Sequence, residues 1–308
     1  MKKLITRTVL FFLLSLCVFA ENVRIATLAG PTAIPLAFFL EEKKVPASFE
    51  QFSSPQLAVP KLLKGEIDIA FLPPNLAAKV YNSSAKNLQV LGLSGNGNLF
   101  LISKDKTISS FADLAGKTIY VAGKGATPEY VFRTLLKKNN VKNVTLDFSI
   151  ASQNLAAMLI ENKITYALVP EPFASLATLK STEVFRTIDV QKEFAKIFSD
   201  KKNYPLSLVV VRKEFAEKNK SLVKKIVKAF SSAITKTNEN PKKAGELCEK
   251  YSLGLAPAVV EKAIPYANFT WQNAKDAKSE IENLLLIFLQ FDADSIGGKL
   301  PDEKFYFK

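Results

Sequence analysis

Two stretches of the chain repeat one another, and a repeat constrains a fold more tightly than composition does. "SPQLAVPKLLKGEIDIAFLPPNLAA", from Ser54 to Ala78, matches "SQNLAAMLIENKITYALVPEPFASL", from Ser152 to Leu176. At a spacing of 97, Gln56 pairs with Gln153, Leu62 with Leu159, Ile67 with Ile164, Ala70 with Ala167, Pro73 with Pro170 and Ala77 with Ala174. Each copy reads as polar loop, amphipathic helix, apolar strand and proline-rich turn. Upstream, "VRIATLAGPT" and "KTIYVAGKGAT" are strand-like runs that end in a glycine-containing loop and a threonine, with Thr32 and Thr127 at a spacing of 95. Allowing a two-residue shift, each half holds strand, loop, helix, strand, helix, strand and turn. Alternating strands and helices imply a mostly parallel sheet covered on both faces. The expected fold class is therefore α/β, two similar lobes around a central cleft.

The joints between the lobes are sought in apolar strands flanked by charge. "NLFLISKD" (Asn98 to Asp105) leaves the first half and "LSLVVVRKEF" (Leu206 to Phe215) follows the second, suited to a pair of crossing strands. Helices are predicted at Glu214 to about Glu239, Lys242 to Tyr251, Pro257 to Ala263 and Lys275 to Phe291, with no counterpart in the repeat. Returning them to the first lobe makes it discontinuous, 21–104 plus 206–308, with the second lobe at 105–205.

The beginning of the chain bears on where it works. Lys2, Lys3 and Arg7 precede an apolar run from Val9 to Phe19 and then "VFA" before Glu21, the layout of a secretory signal peptide over residues 1–20. A second reading makes Cys17, in "LSLC", a lipid-bearing N-terminus, although Leu16 is bulky for that position. Cleavage after Ala20 leaves 288 of the 308 residues and lowers the formal charge from +13 to +10. That excess lies on Lys-rich helix faces such as "KEFAEKNKSLVKKIVKAF". Without an aromatic-studded patch it argues against nucleic acid. The chain has no histidine, and Cys248 is the one cysteine left after cleavage, which removes internal disulfides and the usual zinc and Ser-His or Cys-His arrangements. Cys248 itself lies among helix formers, as a small buried apolar side chain would.

Ligands in open α/β sheets bind beyond the carboxyl ends of the strands. Four such turns are predicted: "AGPTAI" and "LPPN" in the first lobe, "GKGAT" and "VPEP" in the second. Facing one another across two connecting strands, they form a hinged clamp. The "VAGKGATPEY" loop meets neither the GxxxxGK[ST] nor the GxGxxG pattern. In it, Thr127 is placed to cap a helix, Pro128 suits the first turn and Glu129 the positive end of the macrodipole. Gly123 and Gly125 allow close backbone approach, and Lys124 adds charge. Glu171, stiffened between two prolines, either accepts hydrogen bonds from a ligand or braces nearby backbone. Asn75 offers a polar contact in the matching turn. Ser152 caps a helix or reaches the ligand, and Trp271, between predicted helices, either stacks on a planar ligand or packs in the core.

The string "FADLAGKTIYVAGKGATPEYVFRTLLKKNN", followed by "ENKITYALVPEPFASLA", resembles the nitrate/sulfonate/taurine-type solute-binding proteins, the NMT1/THI5-like group with a periplasmic binding protein type 2 fold. "LLKGEIDIAFLPPNLAA" resembles the corresponding first-lobe element. The resemblance implies a binding protein, not an enzyme, that delivers a sulfonate, zwitterion or planar heterocycle such as a pyrimidine to the permease and ATPase of an ABC importer. It implies a periplasmic monomer with no cofactor. By position, ligand contacts fall on Gly30, Pro31, Thr32, Pro74, Asn75, Gly125, Ala126, Thr127 and Glu171, beside the candidates Lys124, Ser152 and Trp271. The chain departs from the group at Asn162 and Thr165, where Gly and Asp are usual in the second lobe; Gly65 and Asp68 keep that pair in the first. The cysteine-rich iron motif of the related fungal pyrimidine synthases is missing. An enzyme on the same bilobed fold, with Glu171 as general base and Lys124 or backbone amides holding an anion, is the competing reading. A ligand-sensing module is a third.

Overall fold

The computed structural model describes residues 22–198 and 203–308. The signal-peptide reading and Cys17 lie outside the described residues. From the start the two copies of the repeat fold alike. The first half runs β1 (Val23–Leu28), α1 (Ala33–Glu42), β2 (Ala47–Phe52), α2 (Pro55–Lys64), β3 (Ile69–Leu72) and α3 (Pro74–Ser83), followed by β4 (Leu88–Asn96). After β5 (Leu99–Ser103) the second runs β6 (Thr118–Val121), α4 (Thr127–Lys138), β7 (Thr145–Asp147), α5 (Ser152–Ile160), β8 (Tyr166–Pro170) and α6 (Phe173–Lys180), then β9 (Phe185–Asp189) and α7 (Val190–Ile197). The return begins with β10 (Pro205–Arg212), followed by α8 (Lys213–Lys218), α9 (Lys220–Glu239), α10 (Pro241–Lys250), α11 (Pro257–Ala267), β11 (Phe269–Asn273) and α12 (Ala274–Phe291).

Two sheets result, in the orders β2-β1-β3-β10-β4-β11 and β7-β6-β8-β5-β9. In each, a parallel trio comes from the repeat: β2, β1 and β3 in one, β7, β6 and β8 in the other. The next strand in each is antiparallel and arrives by crossing from the other lobe, β10 beside β3 and β5 beside β8. This double exchange ties the lobes through two connections. β5 hydrogen-bonds within the second sheet, so the outward crossing occupies Gly97 and Asn98, a few residues before the boundary expected at 104. Glycine is required at 97 because a Cβ there would overlap the Tyr204 ring at the return crossing.

Helix ends follow local chemistry. Gly65 closes α2 at φ 77°, and the equivalent Asn162 follows α5 at φ 57°; both take the left-handed conformation that glycine and asparagine tolerate. Asp68 is buried and receives Arg24 at 2.6 Å and Arg212 at 3.4 Å, a brace inside the first lobe. The helix predicted from Glu214 divides at Asn219 into α8 and α9. β11 replaces the loop expected around Trp271, because Phe269 to Asn273 finds unpaired backbone along β4. Cys248 is fully buried in α10, and burial pushes its thiol up to about 12. Among the described residues, no helix is long and apolar enough to cross a membrane.

Candidate functional site

Between the lobes lies a cavity of about 200 Å³, small beside the roughly 300–1000 Å³ of sites for drug-sized ligands. The turns singled out in the sequence meet there. Leu28, Pro31 and Thr32 come from the β1–α1 turn, Leu72 and Pro73 from the end of β3, Gly123, Ala126, Thr127 and Pro128 from the β6–α4 turn, and Ser152 and Gln153 from the start of α5. Phe71, Phe173, Phe269 and Leu206 supply apolar wall, and Ser94, Asn96 and Asn98 line the hinge side. Among the described residues, no Asp, Glu, Lys or Arg lines it.

The candidate residues therefore divide. Pro31, Thr32, Ala126, Thr127 and Ser152 line the cavity, whereas Gly30, Pro74, Asn75, Lys124, Gly125, Glu171 and Trp271 are not in its wall. Thr32 spends its hydroxyl locally: it accepts from the Leu28 amide at 3.1 Å, donates to the Leu28 carbonyl at 3.2 Å and contacts Thr27 Oγ1 at 3.1 Å. Thr127 differs. The cap of α4 is Ala126, so Thr127 sits inside the first turn, fully buried, with Oγ1 lacking any hydrogen-bond partner. Ser152 likewise begins α5 without capping it, since the cap position is Ala151.

The "GKGAT" loop holds an anion of its own. Glu129 folds back so that its carboxylate accepts from the Gly125 amide at 2.8 Å and from Arg133 Nε at 2.8 Å. An external anion would compete with that carboxylate for the Gly125 N–H. Across the cleft, Asn75 Nδ2 donates to the Gly125 carbonyl at 2.7 Å, joining the α3 turn of one lobe to the α4 turn of the other. Asn75 is thus a contact between lobes. Gly30 lies beneath Phe173 of the opposite lobe, 3.7 Å from where a Cβ would stand. Tyr130 donates to Asp292 Oδ2 at 2.8 Å, a further bond between the lobes.

Glu171 takes the bracing alternative. Its side chain is 0% exposed, and Arg186 donates to Oε1 from Nε at 3.0 Å and Nη2 at 2.6 Å, while the Ser175 amide donates to Oε2 at 3.0 Å. Burial pushes the Glu171 carboxyl above its ordinary value, opposed by Arg186 and then by Ser175. The Arg186 guanidinium continues across to the first lobe, 4.3 Å from the centre of the Tyr266 ring. A carboxylate already filled by three donors is not an available base, and Lys124 lies outside the cavity, so the acid–base pair of the enzyme reading is not assembled. Trp271 is on the outer face of the first sheet, stacked on Phe230 with centroids 6.0 Å apart and donating Nε1–H to Asn273 at 3.0 Å. It lines a separate lysine-rich groove.

Sequence reasoning missed Asn98. It is 2% exposed, sits at the outward crossing, and its Oδ1 has no hydrogen-bond partner among the described residues. The available signal was "SGNGNLF", a polar, glycine-split break between two apolar strands. No group of metal-binding side chains occurs among the described residues.

The NMT1/THI5-like family model matches residues 48–244. Among solved structures, an ABC transporter protein from Parabacteroides distasonis is similar over 93% of this chain and 99% of its own, with 24% identity and a TM-score of 0.80. The periplasmic aliphatic sulphonate-binding protein SsuA of Escherichia coli matches over 94% and 92%, with 17% identity and a TM-score of 0.74. The periplasmic nitrate-binding protein NrtA of Synechocystis matches over 90% and 84%, with 13% identity and a TM-score of 0.67. No curated protein sequence matches. With its two exchanged sheets and the cavity between them, the chain belongs to the NMT1/THI5-like family and has the bilobed fold of periplasmic binding proteins.

Proposed function

We propose that this protein is an extracytoplasmic solute-binding protein, not an enzyme, that closes its lobes on one small uncharged organic molecule and presents it to the permease of an ABC importer. The lobes are read as 22–96 with 205–308, and 99–198. The observation that carries the ligand class is the cavity wall, which is mainly apolar with a few neutral polar groups and, among the described residues, free of charged side chains. An isolated sulfonate or ammonium buried there would lose its hydration without a counter-charge, at a cost of several kcal/mol. Pro55 and Pro128, in the first turns of α2 and α4, each remove one N–H donor that an anion would use there. Of the ligands suggested by the sequence, a planar heterocycle fits this wall, and a sulfonate or zwitterion does not. Periplasmic location and a monomeric state belong to the same reading, as does anchoring through Cys17 as its alternative.

A thermal-shift panel tests it. Uncharged pyrimidines and related single rings should raise Tm, while taurine, alkanesulfonates and nitrate should leave it unchanged. A shift with the anions and none with the rings would overturn the ligand class.

A further inference from the structure

We infer that Asn98 selects ligands by hydrogen-bond polarity, so that the cavity takes an uncharged ring carrying an amide N–H or amino group on the edge facing the hinge. This rests on the reading of the cavity as a ligand site. Asn98 Nδ2 lies 3.3 Å from the Ala267 carbonyl. A carbonyl only accepts, so the end of the amide facing Ala267 is the NH₂ and the other end is Oδ1. Flipping the amide would set two acceptors against each other. Its backbone is tied as well, because the Asn98 carbonyl accepts from the Glu171 amide at 3.0 Å. Glu171 itself is clamped by Arg186, so the second-lobe turn holds Asn98 in place.

The outcome is a positioned acceptor, shielded from solvent and without a partner among the described residues, on a residue of the cavity wall. A buried acceptor left unpaired is destabilising, and a ligand donor removes that penalty whereas a ligand carbonyl or anion adds repulsion. Asn96, two residues back, also lines the cavity and also has a buried Oδ1 without a partner among the described residues. On the α4 side Thr127, another residue of the wall, carries a buried hydroxyl without a partner among the described residues, which donates or accepts and so discriminates less. Phe71, Phe173 and Phe269 supply the flat apolar contact for the body of the ring.

The test compares uracil and thymine with 1,3-dimethyluracil and 1,3-dimethylthymine, in which both ring N–H groups are removed, by calorimetric titration of the full mature protein. At least one parent ring should bind, and methylating its N–H groups should weaken binding by about tenfold or more. Asn98→Leu, checked for an unchanged circular dichroism spectrum, should erase the difference between parent and methylated rings. Equal binding of parent and methylated rings by the wild type overturns the inference while leaving the cavity as a site for neutral rings. Wild-type protein that ignores every parent ring also overturns it. If taurine or nitrate binds instead, the reading of the cavity as a neutral site falls with it. The wild-type comparison does not depend on whether Asn98→Leu folds.

Discussion

The two lobes present matched turns to the cavity and use them in opposite ways. Thr32 and Thr127 end equivalent loops, yet Thr32 bonds to its own Leu28 and Thr127 Oγ1 bonds to nothing. In the proline turns, Asn75 reaches across to the Gly125 carbonyl, whereas Glu171 turns inward to Arg186 and Ser175. The repeat preserves backbone path because parallel pairing and helix packing depend on the apolar positions it keeps. It leaves polar side chains free to diverge, so that the proline turn carries a contact between lobes in the first lobe and a buried brace in the second.

Breaking the brace should have the largest effect. Arg186→Leu leaves the Glu171 carboxylate buried without its guanidinium, and loss of one partner of a buried pair costs about 3–5 kcal/mol, readable as a lower Tm and urea midpoint. The double change Arg186→Leu with Glu171→Leu should recover much of that loss. Next comes Thr127→Tyr, which fills the cavity from the α4 side and should abolish ring binding while the far-ultraviolet circular dichroism is kept; Thr32→Val should instead lower stability, through the Leu28 bonds, more than affinity. Asn75→Ala removes one hydrogen bond between the lobes, worth about 1 kcal/mol, and should weaken ligand binding roughly fivefold without changing which rings are bound. Affinity for a non-titrating ring should stay flat between about pH 5 and 8, where histidine would be the titrating side chain: the chain has no histidine, and no charged group lines the cavity. The smallest expected effect is on fluorescence. Trp271 is the chain's one tryptophan and lies on the outer sheet face, so ring binding should leave its emission nearly unchanged, and a large shift would move the site to the outer groove.

The fold was legible because its determinants are local and repeated. Ile69 to Leu72 and Tyr166 to Val169 read as buried strands, and Gly65 and Asn162 mark helix ends that only a left-handed residue closes. β11 was not legible, since a half-buried five-residue edge strand is specified by vacant backbone on β4 and by little in its own sequence. Within the site, positions near strand ends were readable to within a residue or two, and Pro31, Ala126 and Thr127 do line the cavity. The direction of a polar side chain was not. Whether Glu171 faces a ligand or a guanidinium depends on Arg186, fifteen residues later on another strand, and the role of Asn98 depends on the Ala267 carbonyl contributed by the opposite lobe. Such partners are set by tertiary closure and leave no spacing to read.

Native mass spectrometry of the protein purified from its own cells tests the central claim most directly. The account predicts one small molecule bound per chain, released on denaturation as an uncharged, ring-containing species with exchangeable N–H groups, and absent from Thr127→Tyr. Recovery of a sulfonate, nitrate or another obligate ion, or retention of the same molecule by Thr127→Tyr, would contradict it.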